Sequence, residues 1–264
     1  MQKILIISGK KQSGKSSLCN FLHGYTMAYN KVISAFDLND EGQLLVNTRT
    51  IDADGHTVEG VGVLDIERKD YEFESYAHQN IWPYVKVYSF ADELKMFLIR
   101  HFGLTWNQCY GSNDDKETIT SFRFCDFSFA LDNDYVSKVR KAGKYKEHLT
   151  ARQVMQLFGT NVCRKIYEAC WSRPTFEKIL AEQVPLAIIT DARFISEIEL
   201  GHEYGARCLR LARCKYEDSH ASENELNNYD GFDAILDNSK ITMREKNNTA
   251  FQLLKEWEWI EGSI

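Results

Sequence analysis

Interruptions are scarce in this chain. Three prolines and 15 glycines among 264 residues leave little room for a disordered linker. There is no C-x-x-C pair. The seven cysteines (Cys19, Cys109, Cys125, Cys163, Cys170, Cys208 and Cys214) are odd in number and widely spaced. That excludes zinc-type spacing and argues against a disulfide framework at this length. Reduced, mostly buried thiols in the cytoplasm are the expectation. No stretch approaches the ~18 apolar residues of a membrane span, and the short apolar run near the start cannot form a signal-peptide core. A net charge of −6 argues against a general nucleic-acid coat and leaves only a local basic patch open. Internal repeats and low-complexity segments are absent.

What is present suits a soluble α/β protein. Hydrophobic residues at 44% are enough to bury a core. Residues 3–8, KILIIS, form a continuous apolar run, as a strand buried on both faces of a parallel sheet requires. Leu18, Phe21, Leu22 and Tyr25 then recur at helical spacing, predicting a helix from about 15 to 29. Turn clusters at Asn39-Asp40-Glu41-Gly42 and Asp52-Ala53-Asp54-Gly55 separate β-rich runs, which predicts one or two antiparallel hairpins inserted at about 37–70. Further strands are expected at 84–90, 185–190, 206–212 and 233–237. Helices are expected after the first of these (Leu94, Phe97, Leu98 and Phe102 on one face), at about 193–204 and at 245–258. Strand–helix alternation implies a mainly parallel five-stranded sheet between helical layers. Residues 105–148 show no clear period.

The stretch Gly9-Lys10-Lys11-Gln12-Ser13-Gly14-Lys15-Ser16 fits G-x-x-x-x-G-K-[ST] at every defined position. A predicted buried strand precedes it and an amphipathic helix follows. Glycines let the backbone wrap phosphate oxygens, and the helix N-terminus offers free N–H groups and the positive end of its dipole. In this motif Lys15 bridges β- and γ-phosphates and the Ser16 hydroxyl ligates Mg²⁺. ATP and Mg²⁺ are therefore the expected donor and cofactor. No base-reading N-K-x-D occurs, which speaks against a GTPase, and the modest length favours a small-molecule kinase.

Two later segments offer an acceptor site. Thr150-Ala151-Arg152-Gln153 makes a capping box that opens a helix. On that helix Arg152, Gln156, Thr160 and Arg164, each four apart, share one stripe. Two arginines separated by an amide and a hydroxyl suit a ligand with a phosphate and a base edge; a solvated face is the alternative. Gly159 inside the run costs about 1 kcal/mol of helix propensity relative to Ala, which a backbone break or a close ligand approach explains. In ITDARFISE (189–197) an apolar strand ends at Asp191, with Arg193 and Glu197 beyond it, at the edge where parallel-sheet sites lie. Asp191 suits Mg²⁺ through water or a sugar hydroxyl, or else a plain helix N-cap; Arg193 suits a phosphate clamp.

Together GKKQSGKS, YSFADELK (88–95), LTARQVMQLFGTNVCRKIYEACW (149–171) and D-x-R-F-x-x-E (191–197) resemble the bacteriophage deoxynucleoside monophosphate kinases, within the P-loop nucleoside monophosphate kinases. The resemblance spans most of the chain apart from 37–70 and 118–148. It implies transfer of the γ-phosphoryl of ATP to a deoxynucleoside 5′-monophosphate. It also implies a P-loop three-layer α/β/α fold in one domain over 1–264, with a lid and substrate-binding region at about 105–183. By resemblance the phosphate loop is Gly9–Ser17 (Gly9, Ser13, Gly14, Lys15, Ser16, Ser17), with Lys11 near the transferring phosphate. Arg152, Gly159, Thr160 and Trp171 bind the acceptor, Asp191, Arg193 and Glu197 form the strand-end group, and Lys95 is a weaker match. Ser16-Ser17 departs from an Asp-Thr of some relatives, which leaves the Mg²⁺ ligand between the two serines.

Lys138, Arg140, Lys141, Lys144 and Lys146 suit either a lid over ATP or a solvated basic face. Ser222-x-x-Glu225 reads as a second capping box, with Arg213 and His220 as nucleotide contacts. The expected partners are small nucleotides, with a homodimer open through the inserted hairpins. The expected compartment is the cytoplasm, the host's if the chain is phage-encoded. A kinase of another phosphorylated acceptor such as phosphomevalonate, and a nucleic-acid-associated P-loop ATPase, are the alternative readings.

Overall fold

The computed structural model describes residues 2–51, 54–213 and 225–262. The chain runs β1 (Lys3–Gly9), α1 (Lys15–Tyr29), β2 (Phe36–Leu38), β3 (Leu44–Ile51), β4 (Thr57–Leu64), α2 (Tyr71–Asn80), β5 (Val85–Tyr88) and α3 (Phe90–Phe102). Short elements follow: α4 (Trp106–Tyr110), α5 (Asn113–Lys116), β6 (Ile119–Arg123), α6 (Phe124–Phe127) and α7 (Asn133–Lys141). Then come β7 (His148–Thr150), α8 (Ala151–Gln156), a π-helical segment (Leu157–Cys163) and α9 (Arg164–Ile166). The last are α10 (Ser172–Glu182), β8 (Leu186–Ile189), α11 (Ile195–Glu203), β9 (Arg207–Leu211), β10 (Ala234–Leu236) and α12 (Met243–Glu256). None of the described helices is long and apolar enough to cross a membrane.

The chain forms two compact units, Met1–Ser89 with Phe176–Ile264, and Phe90–Thr175. In the first, five parallel strands lie in the order β10-β9-β1-β8-β5. This is the expected mixed α/β architecture, with each strand within a few residues of its predicted position. β1 is central, and Ile4, Leu5, Ile6 and Ile7 are at most 2% exposed, which is why its sequence is apolar without alternation. Leu18 and Leu22 of α1 and Phe251 of α12 pack into the same core. β1 has β8 on one side and β9 on the other. The strand order therefore switches direction at β1, and the crevice for ligands in such sheets opens at the carboxyl ends there. The insertion is a three-stranded antiparallel sheet, β2-β3-β4, as the two turn clusters predict. Leu44 and Val46 join the core while Val61 and Val63 of β4 face outward.

The second unit has its own core, around Leu98, Phe124, Phe127, Leu149, Val154 and Leu157. Stacked and tilted rings link Phe102 to Phe122, Phe127 and Phe158. This accounts for the absent period at 105–148: helices of one or two turns cannot repeat a 3.6-residue pattern, so scattered aromatics carry the burial instead. β6 and β7 pair antiparallel beside them.

Candidate functional site

The loop after β1 is arranged around its own backbone. Gly14 sits at the N-cap of α1 with φ 96°, a left-handed conformation that glycine adopts without steric cost. The Ser13 N–H donates to the Lys10 carbonyl at 3.1 Å, tightening the turn. Lys15 lies across the loop, its Nζ donating to the carbonyls of Gly9 (2.6 Å) and Lys10 (2.9 Å). Ser13 is fully buried, and its Oγ has no partner among the described residues. A buried hydroxyl of that kind costs stability unless something outside the protein completes it. Lys11 and Ser16 are exposed, whereas Ser17 is not. Ser17 Oγ donates to the Gly14 carbonyl at 3.0 Å and accepts from Lys246 Nζ at 2.6 Å.

Residues from β9 onward hold this loop from behind. Asn238, after β10, is buried; its Nδ2 donates to the Ser13 carbonyl at 2.7 Å and its Oδ1 accepts the Arg213 N–H at 2.9 Å. The Arg213 guanidinium donates to the Gln12 carbonyl at 3.1 Å. Lys246 of α12, only 2% exposed, donates a second bond from Nζ to the Gly14 carbonyl at 2.8 Å. Burial, with the Arg213 charge adding to it, lowers the Lys246 pKa to about 7.

At the carboxyl ends of β5 and β8, Ser89 Oγ donates to Asp191 Oδ2 at 2.6 Å. Asp191 does not cap α11, because Phe194 occupies that position. The Glu197 carboxylate instead accepts the N–H groups of Arg193 (2.7 Å) and Phe194 (3.2 Å), and the side chain is buried. Glu197 thus shapes the turn that carries Arg193, which is exposed. Glu225 accepts the Ile195 N–H at 2.9 Å. Its expected capping partner Ser222, and His220, lie outside the described residues.

In the second unit the capping box stands: Thr150 Oγ1 accepts the Gln153 N–H, and Gln153 Oε1 accepts the Thr150 N–H. The helix it opens is not α-helical throughout, because Leu157–Cys163 widens into a π-helix. Gly159 lies in that segment, where the backbone departs from the α-helix, and the Leu94 side chain packs close to it. A Cβ at Gly159 would stand 2.5 Å from Leu94 Cδ2. The Gly159 carbonyl accepts the Trp171 indole N–H at 3.1 Å. Along the expected stripe Gln156 is exposed and Thr160 half-buried. The Arg164 side chain is 8% exposed and lies 3.7 Å from Glu168, so a solvated face does not describe that end. The Arg152 guanidinium bonds Glu117 and, at 2.9 Å, Asn113. Lys95 lies over the Tyr110 ring at 4.5 Å and 3.9 Å from Asp92. Lys138, Lys141, Lys144 and Lys146 are exposed, while Arg140 stacks on Tyr145 and donates to its hydroxyl at 3.1 Å.

Among the described residues no group of three His, Cys, Asp or Glu is placed to hold a metal by itself. Hard cations such as Mg²⁺ take oxygen ligands, and the Ser16 hydroxyl and Asp191 carboxylate carry oxygens of that kind. Lys246, Asn238, Ser89 and Glu117 escape sequence reasoning. Lys246 sits in a run, REKNN, that reads as solvated, and only the packing of α12 on the loop reveals it.

A family model described as deoxynucleotide monophosphate kinase matches residues 3–246. No curated protein matches the chain.

Proposed function

The chain belongs to the deoxynucleotide monophosphate kinase family, and from that membership we propose that it moves the γ-phosphoryl group of ATP to a deoxynucleoside 5′-monophosphate at the loop Gly9–Ser17. The observation that carries this reading is the Lys15 ammonium lying across the Gly9 and Lys10 carbonyls beside an unpartnered buried Ser13 hydroxyl. A glycine-bearing loop of this shape, opening a helix N-terminus, suits a polyphosphate.

In the proposed reaction an acceptor phosphate oxygen attacks the γ-phosphorus in line. The new P–O bond forms as the bond to the β,γ-bridging oxygen breaks, and ADP leaves with that electron pair. Lys15 offsets the charge on the transferring group, and Lys11 and Arg193 reach the donor and acceptor phosphates. An already ionised phosphate needs no general base. Ser16 and Asp191 would hold Mg²⁺, which would neutralise phosphate charge. Ser17 is the weaker choice as a ligand, since its oxygen is engaged by Gly14 and Lys246. Arg152, Gln156, Gly159, Thr160, Arg164 and Trp171 form the acceptor side, with Lys95 beside them. Arg152 there exchanges its Glu117 pair for an anionic acceptor.

The test is an ADP-release assay with ATP, Mg²⁺ and each deoxynucleoside monophosphate in turn. Turnover with at least one of them is expected. Turnover only with an unrelated phosphorylated acceptor, or only in the presence of DNA or RNA, overturns the reading.

A further inference from the structure

Lys246 is almost completely buried, and no carboxylate pairs with it among the described residues. Among the described residues its Nζ donates two bonds, both to the phosphate loop: to the Gly14 carbonyl at 2.8 Å and to the Ser17 hydroxyl at 2.6 Å. The charged neighbour that acts on it is Arg213, of like sign, which itself touches the loop at the Gln12 carbonyl. A buried cation without an acidic partner is unfavourable. Natural cores retain such groups where a ligand supplies the missing charge or where function outweighs stability. The bonds also settle geometry. Gly14 is the left-handed residue that turns the loop into α1, and a Cβ there would approach Lys246 Nζ to 3.0 Å. Lys246 therefore reaches the loop at its conformationally special residue.

We infer that Lys246 is a positioning residue of the donor site. It holds the Gly14 carbonyl and the Ser17 hydroxyl so that the N–H groups of the loop face the bound polyphosphate, and together with Arg213 it supplies positive charge that the polyphosphate balances. The inference rests on the assignment of Gly9–Ser17 as the nucleotide loop. It also predicts a trade: the group that improves nucleotide binding is one the empty protein holds at a cost.

The experiment compares wild type, Lys246→Met and Lys246→Gln by calorimetric titration with ATP–Mg²⁺, by KM for ATP and for the acceptor, and by thermal melting without nucleotide. Met keeps length without donors or charge; Gln keeps one donor for the Gly14 carbonyl. Expected for Lys246→Met are a tenfold or greater loss of ATP affinity, an acceptor KM within about twofold of wild type, and a melting temperature that is not lowered. Lys246→Gln should lie between the two. Unchanged ATP affinity in a folded Lys246→Met or Lys246→Gln protein overturns the inference. So does an equal rise in both KM values with a fall in melting temperature, which marks a merely structural lysine. If Lys246→Met does not fold, the role is structural and the inference fails. Absence of ATP binding by wild type would instead overturn the nucleotide-loop assignment, a separate result.

Discussion

Ser89 donates its hydroxyl to the Asp191 carboxylate at 2.6 Å, tying the carboxyl end of β5 to that of β8. The two residues stand 102 positions apart in the chain, and only the pairing of β5 with β8 brings them together. A charge-assisted bond of this length fixes which way the carboxylate faces. Ser89→Ala should leave the fold intact and lower kcat about fivefold, matching roughly 1 kcal/mol for one such bond. If Asp191 serves Mg²⁺, the variant should also need more of it, so a Mg²⁺ titration of activity is the direct check. An unchanged Mg²⁺ curve and kcat would separate Ser89 from the reaction.

Lys15→Ala removes the ammonium that crosses the Gly9 and Lys10 carbonyls. Activity should fall by roughly a hundredfold or more, the scale for losing one preorganised charge on a transferring group. The melting temperature should move little, because Lys15 is not in the core. Retained turnover would remove the phosphate loop from the chemistry.

Arg152→Ala should raise the KM for the acceptor about tenfold, on the scale of one lost charge-assisted contact. The KM for ATP should stay near wild type, since the loop lies in the other unit. Steady-state kinetics with each substrate varied in turn distinguish this from a general loss. Equal shifts in both constants would count against an acceptor role.

Gly159→Ala tests packing against propensity. Helix propensity alone predicts stabilisation by about 1 kcal/mol. The added methyl, however, meets Leu94 Cδ2 at 2.5 Å, and overpacking of that kind costs about 1–3 kcal/mol. Net destabilisation by about 1 kcal/mol is therefore expected in urea unfolding. A more stable variant would mean that Leu94 moves aside freely.

His23 supplies a pH dependence of stability. It is 1% exposed, its Nδ1–H facing the Cys19 carbonyl at 2.9 Å, and burial lowers its pKa from 6.5 to about 4. Below pH 6.5 the unfolded chain takes up a proton that the folded protein refuses. Stability is therefore full above pH 6.5 and declines as pH falls through about 4. The decline should total about 3 kcal/mol, at about 1.4 kcal/mol per pKa unit. Urea midpoints for wild type and His23→Gln across pH 4–7 measure it, the variant showing the flatter profile. Parallel profiles would assign acid lability to other groups.

What could be read without coordinates was local. The strand Lys3–Gly9, the loop and the helix Lys15–Tyr29 are contiguous, so apolar continuity, glycine placement and helical spacing sufficed to predict them. The Thr150–Gln153 box was legible for the same reason, since both of its bonds close within four residues. The parallel strands were readable because burial on both faces leaves an apolar run whatever the neighbours are. The π-helical widening at Leu157–Cys163 was marked only by Gly159, which signals a break but not its kind, and the short aromatic-bearing helices before it left no period.

Only the tertiary structure decided which distant groups serve the loop. Lys246 reaches Gly14 across 232 residues, and Asn238 reaches Ser13 across 225. In sequence both are polar residues in polar surroundings. Whether such a residue is solvated or buried depends on what packs over it, which strand order and the seating of α12 determine. By itself the sequence determined the kind of loop and the fold class. Packing determined that a buried lysine holds the loop, that Leu94 crowds Gly159, and that Glu197 supports the turn carrying Arg193. Local patterns encode periodicity and turn chemistry, whereas contacts between distant residues exist only once the chain has closed on itself.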